Sequence, residues 1–280
     1  MDFMRWGRDR WSSVYPTTVP YRIDLPVSGD DIFDRLVGFG ALDIEVADGS
    51  TAALMPDSVT PDQLRAALGD AITISPAIAR DAGSVWMLEQ RPLHVGTLHI
   101  VPADMASGPG TVRLIDAPAF GTGHHPTTAL CLEILCEIVE AERPESMLDV
   151  GTGSGVLALA ALTLGVPRAV GVDLDENALR TASENARLNG LADRLELVHG
   201  GPQDVDDAWP LVVANILAAP LIDMASSLVR TVGHRGRLLL SGIPQSLEED
   251  VVRAYRHLGM HRLEVRTSAG WTAVVMRTSW

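Results

Sequence analysis

The sequence predicts an α/β fold: a mostly parallel, seven-stranded sheet with a C-terminal antiparallel hairpin, preceded by a small α+β domain. Three observations carry this. From residue 146 onward strand-like and helix-like runs alternate, and the turn Gly151-Thr152-Gly153-Ser154-Gly155 joins the first of these strands to a helix. Two further strand-like runs lie close together at the C-terminal end. Alternation of this kind builds parallel βαβ units with right-handed crossovers.

The elements follow in order. YRIDLPV (21–27) has strand character, and SGDDIFDRLVGFGA (28–41) opens on Ser and Asp capping signals. Its residues Ile32, Phe33, Leu36 and Val37 recur at helical spacing. LDIEVADG (42–49) alternates apolar and acidic residues, as a half-buried strand does. SVTPDQLRAALGD (58–70) offers Thr60 as helix cap, Pro61 at the first helical position and Gly69 as a stop. This β-α-β-α order predicts half or all of a ferredoxin-like unit. The segment 84–101 reads as a hairpin or bridging strand, and the small-residue stretch PADMASGPGTV (102–112) reads as a linker.

Helical spacing resumes at Thr127 with the stripe Leu130, Cys131, Ile134, Leu135, Ile138, and Pro144 ends that helix. MLDVG, AVGVDLD, LELVHG, LVVANIL and RLLLSGI then read as strands with helices between them. HRLEVRT and WTAVVMR form the closing hairpin around 268–270. The expected division is a small domain over 1–101, a linker over 102–112 and the sheet domain over 113–280.

Composition narrows the function classes. A net charge of −14 disfavours phosphate-backbone binding, so no direct nucleic-acid partner is expected. The start MDFMRWGRDRW lacks the apolar run of a signal peptide, and no apolar stretch is long enough to span a bilayer. Cys131 and Cys136 fit neither a zinc pattern nor a disulfide framework and read as apolar fillers in a reducing compartment, so a cytoplasmic location is expected.

The chemistry concentrates in three constellations. In the first, Gly151, Gly153 and Gly155 allow a tight turn and a close ligand approach, and the helix that follows offers free N–H groups. The spacing GxGxG, with Val156 where a third glycine would stand, departs from the dinucleotide fingerprint. Asp173 ends the next strand, where it can accept two hydrogen bonds from ribose hydroxyls over the crevice at the strand tips. Asp149, just before the glycines, suits a cationic amino-acid moiety better than a pyrophosphate. The ligand that fits is S-adenosyl-L-methionine, and NAD fits less well.

The second constellation is Asn215 in VANILA, expected at a strand tip with its side-chain carbonyl open to an amine. The alternative is a plain turn asparagine. The third is the run from Phe120 to Thr128. Thr127 and Thr128 have hydroxyls suited to the ligand, with Thr127 equally suited to capping the helix. His124 and His125 lack a third metal ligand, so no metal is expected. One of them is suited to titrating near the substrate amine, and a buried or capping role is the equal alternative.

AFGTGHHPTTALCLEIL, LDVGTGSGVLALAALTLG, GVDLDENAL, VVANILAAPL and LLLSGIPQ, in this order, resemble the PrmA family of bacterial methyltransferases acting on large-subunit ribosomal protein eleven. The resemblance runs from about 113 to 277, and RPLHVGTLHIVP is similar to that family's bridging segment. It implies a class I methyltransferase domain, Rossmann-like, behind a small substrate-recognition domain. It also implies cofactor contacts from Thr128, Gly151, Asp173 and Asn215, with amines of lysine side chains or of the protein N-terminus as acceptors. His124 stands where the family has Thr, and the N-terminal part is shorter than usual.

Together these readings predict a protein N-methyltransferase using S-adenosyl-L-methionine, with a ribosomal protein as partner and Asn215 as the catalytic amine-positioning residue. The competing readings are a methyltransferase for a small molecule or another peptide and a cofactor-binding module without catalysis. A nicotinamide oxidoreductase is the weakest.

Overall fold

A computed structural model of the chain describes residues 20–47, 49–77, 79–80, 85–86, 92–115 and 125–278. The chain divides into two compact units, Met1–Glu89 and Gln90–Trp280. The N-terminal Trp- and Arg-containing run and His124 lie outside the described residues.

The first unit runs β1 (Tyr21–Leu25), α1 (Asp30–Gly38), β2 (Asp43–Ala47), β3 (Ser50–Met55), α2 (Pro61–Leu68), β4 (Thr73–Pro76). Its sheet has the order β2-β3-β1-β4, with each neighbour pair antiparallel. This is the whole βαββαβ ferredoxin-like unit. Ile23, Leu25, Phe33, Leu36, Ile44, Leu54 and Leu64 are among its buried apolar residues. The α2 cap forms as the sequence predicts. The Thr60 hydroxyl accepts from the Gln63 amide, and the Gln63 side chain accepts from the Thr60 amide. Helix α1 differs: its cap is Gly29, with no side-chain cap bond, and Val37 points outward at 52% exposure. A two-residue pair, β5 (Ala79–Arg80) with β6 (Val85–Trp86), follows.

The second unit opens with β7 (Leu93–Val95), β8 (Leu98–Pro102) and β9 (Thr111–Leu114), a three-stranded sheet in which β8 and β9 are parallel. This corrects the expected boundaries. Residues 93–101 belong to the second unit, and 102–112 connects and enters paired strands within it. The reason is packing: Val95, Leu98, Ile100, Val112 and Leu114 are buried in the same apolar cluster as the helices of the larger sheet.

The remaining elements are α3 (Pro126–Glu142), β10 (Ser146–Val150), α4 (Val156–Thr163), β11 (Arg168–Asp173), α5 (Glu176–Leu188), β12 (Leu195–His199), β13 (Trp209–Asn215), α6 (Ala218–Asp223), α7 (Ala225–Thr231), β14 (Val232–Pro244), α8 (Glu248–Arg256), β15 (Met260–Ser268) and β16 (Trp271–Thr278). The sheet order is β12-β11-β10-β13-β14-β16-β15, parallel apart from β16, which runs antiparallel to both neighbours. Successive strand residues face opposite sides, so Met147 joins the apolar cluster on one face and Leu148 that on the other. Helices α3 and α4 cover the first face, and α6, α7 and α8 cover the second. Strand order reverses at β10. The chain steps outward to β11 and β12 on one side and to β13 and β14 on the other, which opens a crevice at the carboxyl tips of β10 and β13. Among the described residues no helix is long and apolar enough to cross a membrane.

Candidate active site

At the tip of β10 the chain turns sharply, and Gly151, Gly153 and Gly155 all take positive φ. Gly151 is the most constrained of the three. A Cβ there would stand 2.5 Å from the Ile216 methyl, at a φ of 72° that side chains rarely adopt. Gly155 caps α4 at φ 82°, pressed so close to α5 that a Cβ would lie 3.1 Å from that of Ala182.

Asp173, at the tip of β11, reaches across to this loop. Its Oδ2 accepts from the Gly153 amide at 2.9 Å, and its Oδ1 accepts from the Asp175 amide at 3.0 Å. The residue is only partly buried, so the carboxylate keeps lone pairs for a ligand. Beside it Leu174 is 75% exposed, an uncovered apolar side chain on the crevice rim that the sequence reading missed.

Asp149 takes a different place from the one its position suggests. It is 1% exposed, beneath the loop rather than open to the crevice. Its Oδ2 accepts from the Thr152 hydroxyl at 2.8 Å and the Ala158 amide at 3.3 Å, and its Oδ1 has no hydrogen-bond partner among the described residues. Burial pushes its pKa up to about 7, against the two hydrogen bonds and with a smaller contribution from Asp173. The alternation of β10 turns this side chain inward, so Asp149 braces the turn from within.

Asn215 ends β13, opposite Ser241 in the register with β14. The fold brings it to Thr128, 87 residues earlier: its Nδ2 donates to the Thr128 hydroxyl at 3.2 Å. Its Oδ1 is buried and has no partner among the described residues. An acceptor stripped of water and left unpaired costs about 1–3 kcal/mol, which a donor arriving from a ligand recovers. Thr128 itself is fully buried, with its hydroxyl against Asn215.

The first turn of α3 is locked from three sides. Its cap is His125, not Thr127: the imidazole Nδ1 accepts from the Thr127 amide and lies 2.8 Å from the Thr127 hydroxyl. Its ring stands edge-on to Trp271, with centroids 5.3 Å apart. Burial lowers the His125 pKa to about 4, so the ring is neutral at physiological pH. The Ser241 hydroxyl donates to the Thr127 carbonyl at 3.2 Å.

The structure therefore gathers Thr128, Gly151, Gly153, Gly155, Asp173 and Asn215 at the carboxyl end of the sheet and sets Asp149 just below them. A glycine turn, an acid one strand over and a carboxamide with an unpaired oxygen on the other flank make a crevice suited to a nucleoside bearing a reactive group. The family model described as "Ribosomal protein L11 methyltransferase (PrmA)" matches residues 70–279. The chain belongs to the PrmA family.

Relatives in that family span most of the chain. A ribosomal protein L11 methyltransferase from Myxococcus xanthus is 35% identical over 92% of this chain and 98% of its own length. One from Chromohalobacter salexigens is 42% identical over 70% of this chain and 66% of its own length. A crystal structure described as a ribosomal protein L11 methylase from Lactobacillus delbrueckii subsp. bulgaricus superimposes with a TM-score of 0.61 at 29% identity. That match covers 67% of this chain and 99% of the other. Membership in the PrmA family makes the chain a methyltransferase of the class I, Rossmann-like fold, and the sheet order above is the architecture expected of it. A small-molecule acceptor, the alternative open at the sequence level, is not favoured by these relatives.

Proposed function

We propose that this PrmA-family chain transfers a methyl group from S-adenosyl-L-methionine to an amine of a ribosomal protein, the L11 protein named for its relatives. The observation that carries the reading is the buried, unpaired Oδ1 of Asn215 at the crevice, an acceptor suited to an incoming N–H. The left-handed turn at Gly151, packed on the Ile216 methyl with no room for a Cβ, brings bare backbone to the crevice and supports the fit of the cofactor. The first unit is then the substrate-recognition part, and the cell interior the place of action.

The bound cofactor supplies an electrophilic methyl group on a sulfonium, whose thioether leaves without acid catalysis. The residues of the chain have three tasks. Asp173 accepts hydrogen bonds from ribose hydroxyls while its Oδ2 holds the loop, and Leu174 offers an apolar surface to a flat ring. The loop from Gly151 to Gly155 gives the ligand a close backbone wall, with Asp149 bracing it from below.

Asn215 orients the substrate amine through Oδ1, its own rotation fixed by the bond to Thr128. With the cofactor held there, the amine so oriented would take the methyl through its nitrogen lone pair as the thioether departs, and its proton would pass to solvent. The amine gains positive charge as it attacks. The hydrogen bond to Asn215 therefore strengthens toward the transition state, which raises turnover rather than affinity.

The test is transfer of tritiated methyl from the cofactor to purified L11 and to an extract of cells lacking this gene. Label in L11 is expected. Asn215→Ala should lower kcat roughly 10- to 100-fold, the equivalent of about 1.5–3 kcal/mol for a hydrogen bond to a charged group, with little change in cofactor affinity. Unchanged turnover in that variant removes the role of Asn215, and label confined to small molecules removes the protein substrate.

A further inference from the structure

We infer that Asn185 is a positioning residue for the cofactor crevice, closing a ring of contacts that sets the separation of the glycine loop from Asp173. It rests on the reading of that crevice as the cofactor site, yet Asn185 itself is fully buried on α5, away from any ligand. Its Nδ2 donates to the Ser154 carbonyl, inside the loop, at 2.9 Å, and its Oδ1 accepts from the Ile115 amide at 2.8 Å.

The ring runs as follows. Asp173 accepts from Gly153, and the chain passes on to Ser154, whose carbonyl is held by Asn185. Helix α5 carries that grip back to its cap, Asp175, whose amide is bonded to Asp173. Ala182, one turn before Asn185, presses on Gly155 from the same helix. The loop and the acid are the two groups proposed to hold the nucleoside, and each is bonded to the other and to α5. Without Asn185 the loop keeps its bond to Asp173 and the packing of Gly155 on Ala182 but loses its hydrogen bond to the helix that Asp175 caps. It is then free to tilt, and ordering it again falls to the ligand.

The same helix supplies a built-in control. Asn189, one turn on, makes an equivalent pair of hydrogen bonds: its Oδ1 accepts from the Arg113 amide at 2.8 Å and its Nδ2 donates to the Arg113 carbonyl at 2.7 Å. It ties α5 to β9 without touching the loop. Asn185 and Asn189 therefore do similar structural work, and only Asn185 grips the crevice.

The experiment compares wild type, Asn185→Ala and Asn189→Ala by titration calorimetry with S-adenosylhomocysteine and by scanning calorimetry of the ligand-free proteins. Both variants are expected to lose thermal stability. Asn185→Ala is expected to weaken binding about tenfold, one lost buried hydrogen bond's worth, and to raise KM for the cofactor by a similar factor with KM for L11 unchanged. Asn189→Ala should bind as wild type does.

Equal binding by wild type and Asn185→Ala overturns the inference, as does equal weakening in both variants, which would mark a merely structural role. Wild type giving no binding heat overturns the cofactor site itself, a distinguishable result. Should Asn185→Ala not fold, amide exchange on wild type carries the test. S-adenosylhomocysteine should slow exchange at the Ile115 amide, outside the loop, and an unaltered rate there overturns the coupling.

Discussion

Replacing Asp149 by asparagine is expected to change how stability depends on pH, in a direction the structure dictates. The wild-type carboxyl is enclosed beneath the glycine loop, and burial raises its pKa from an ordinary 3.8 to about 7. Between those values the folded protein holds a proton that the unfolded chain has released. The contribution of this carboxyl to stability therefore falls as pH rises through that window and is fully lost above about 7. Each pH unit is worth about 1.4 kcal/mol, so the interval amounts to about 4 kcal/mol. Asparagine has nearly the same shape, and its carbonyl can take both bonds of Oδ2, from Thr152 and Ala158. Its amide faces the unpaired position of Oδ1 at a cost that does not vary with pH. Urea unfolding followed by circular dichroism at pH 5, 6, 7 and 8 measures the difference, in which contributions from the first unit cancel. From pH 5 to 8 the wild type should lose about 3 kcal/mol relative to Asp149→Asn, nearly all of it below pH 7. Parallel curves for the two proteins would refute the argument that Asp149 is held protonated by its surroundings.

Gly151→Ala combines a left-handed backbone, about 1–2 kcal/mol for a side chain, with overlap against Ile216, about 1–3 kcal/mol. A lower melting temperature and weaker cofactor binding are expected, and adding Ile216→Ala should recover the overlap but not the backbone part. His125 should show no titration between pH 5 and 8 by NMR, because burial holds its pKa near 4 rather than 6.5. Folding then disfavours the proton, so this residue withdraws stability as pH falls from 6.5 toward 4. A midpoint near 6.5 would show the ring to be solvated.

Much of the fold was legible because its signals are local. The capping box of Thr60 and Gln63, the stop at Pro144 after the left-handed Arg143, and the closing hairpin all depend on residues a few positions apart. Strands β3 and β4 were missed: STAALM and TISP are short and carry little alternation, and they become strands by pairing with β1. The linker was misread for a similar reason. Residues rich in Gly and Pro do turn, but Val112 and Leu114 continue the sheet once a core is present to bury them.

The sequence by itself determined the positive-φ loop and its glycines, the acid twenty residues on and the asparagine of VANILA. Backbone permission and side-chain chemistry belong to residue types and need no partner. Only the tertiary structure decided what those groups do. It enclosed Asp149, joined Thr128 to Asn215 across 87 residues, set Trp271 against His125 and recruited Asn185 to hold the loop. Hydrogen-bond partners and desolvation arise from which surfaces pack together, and no local pattern encodes that.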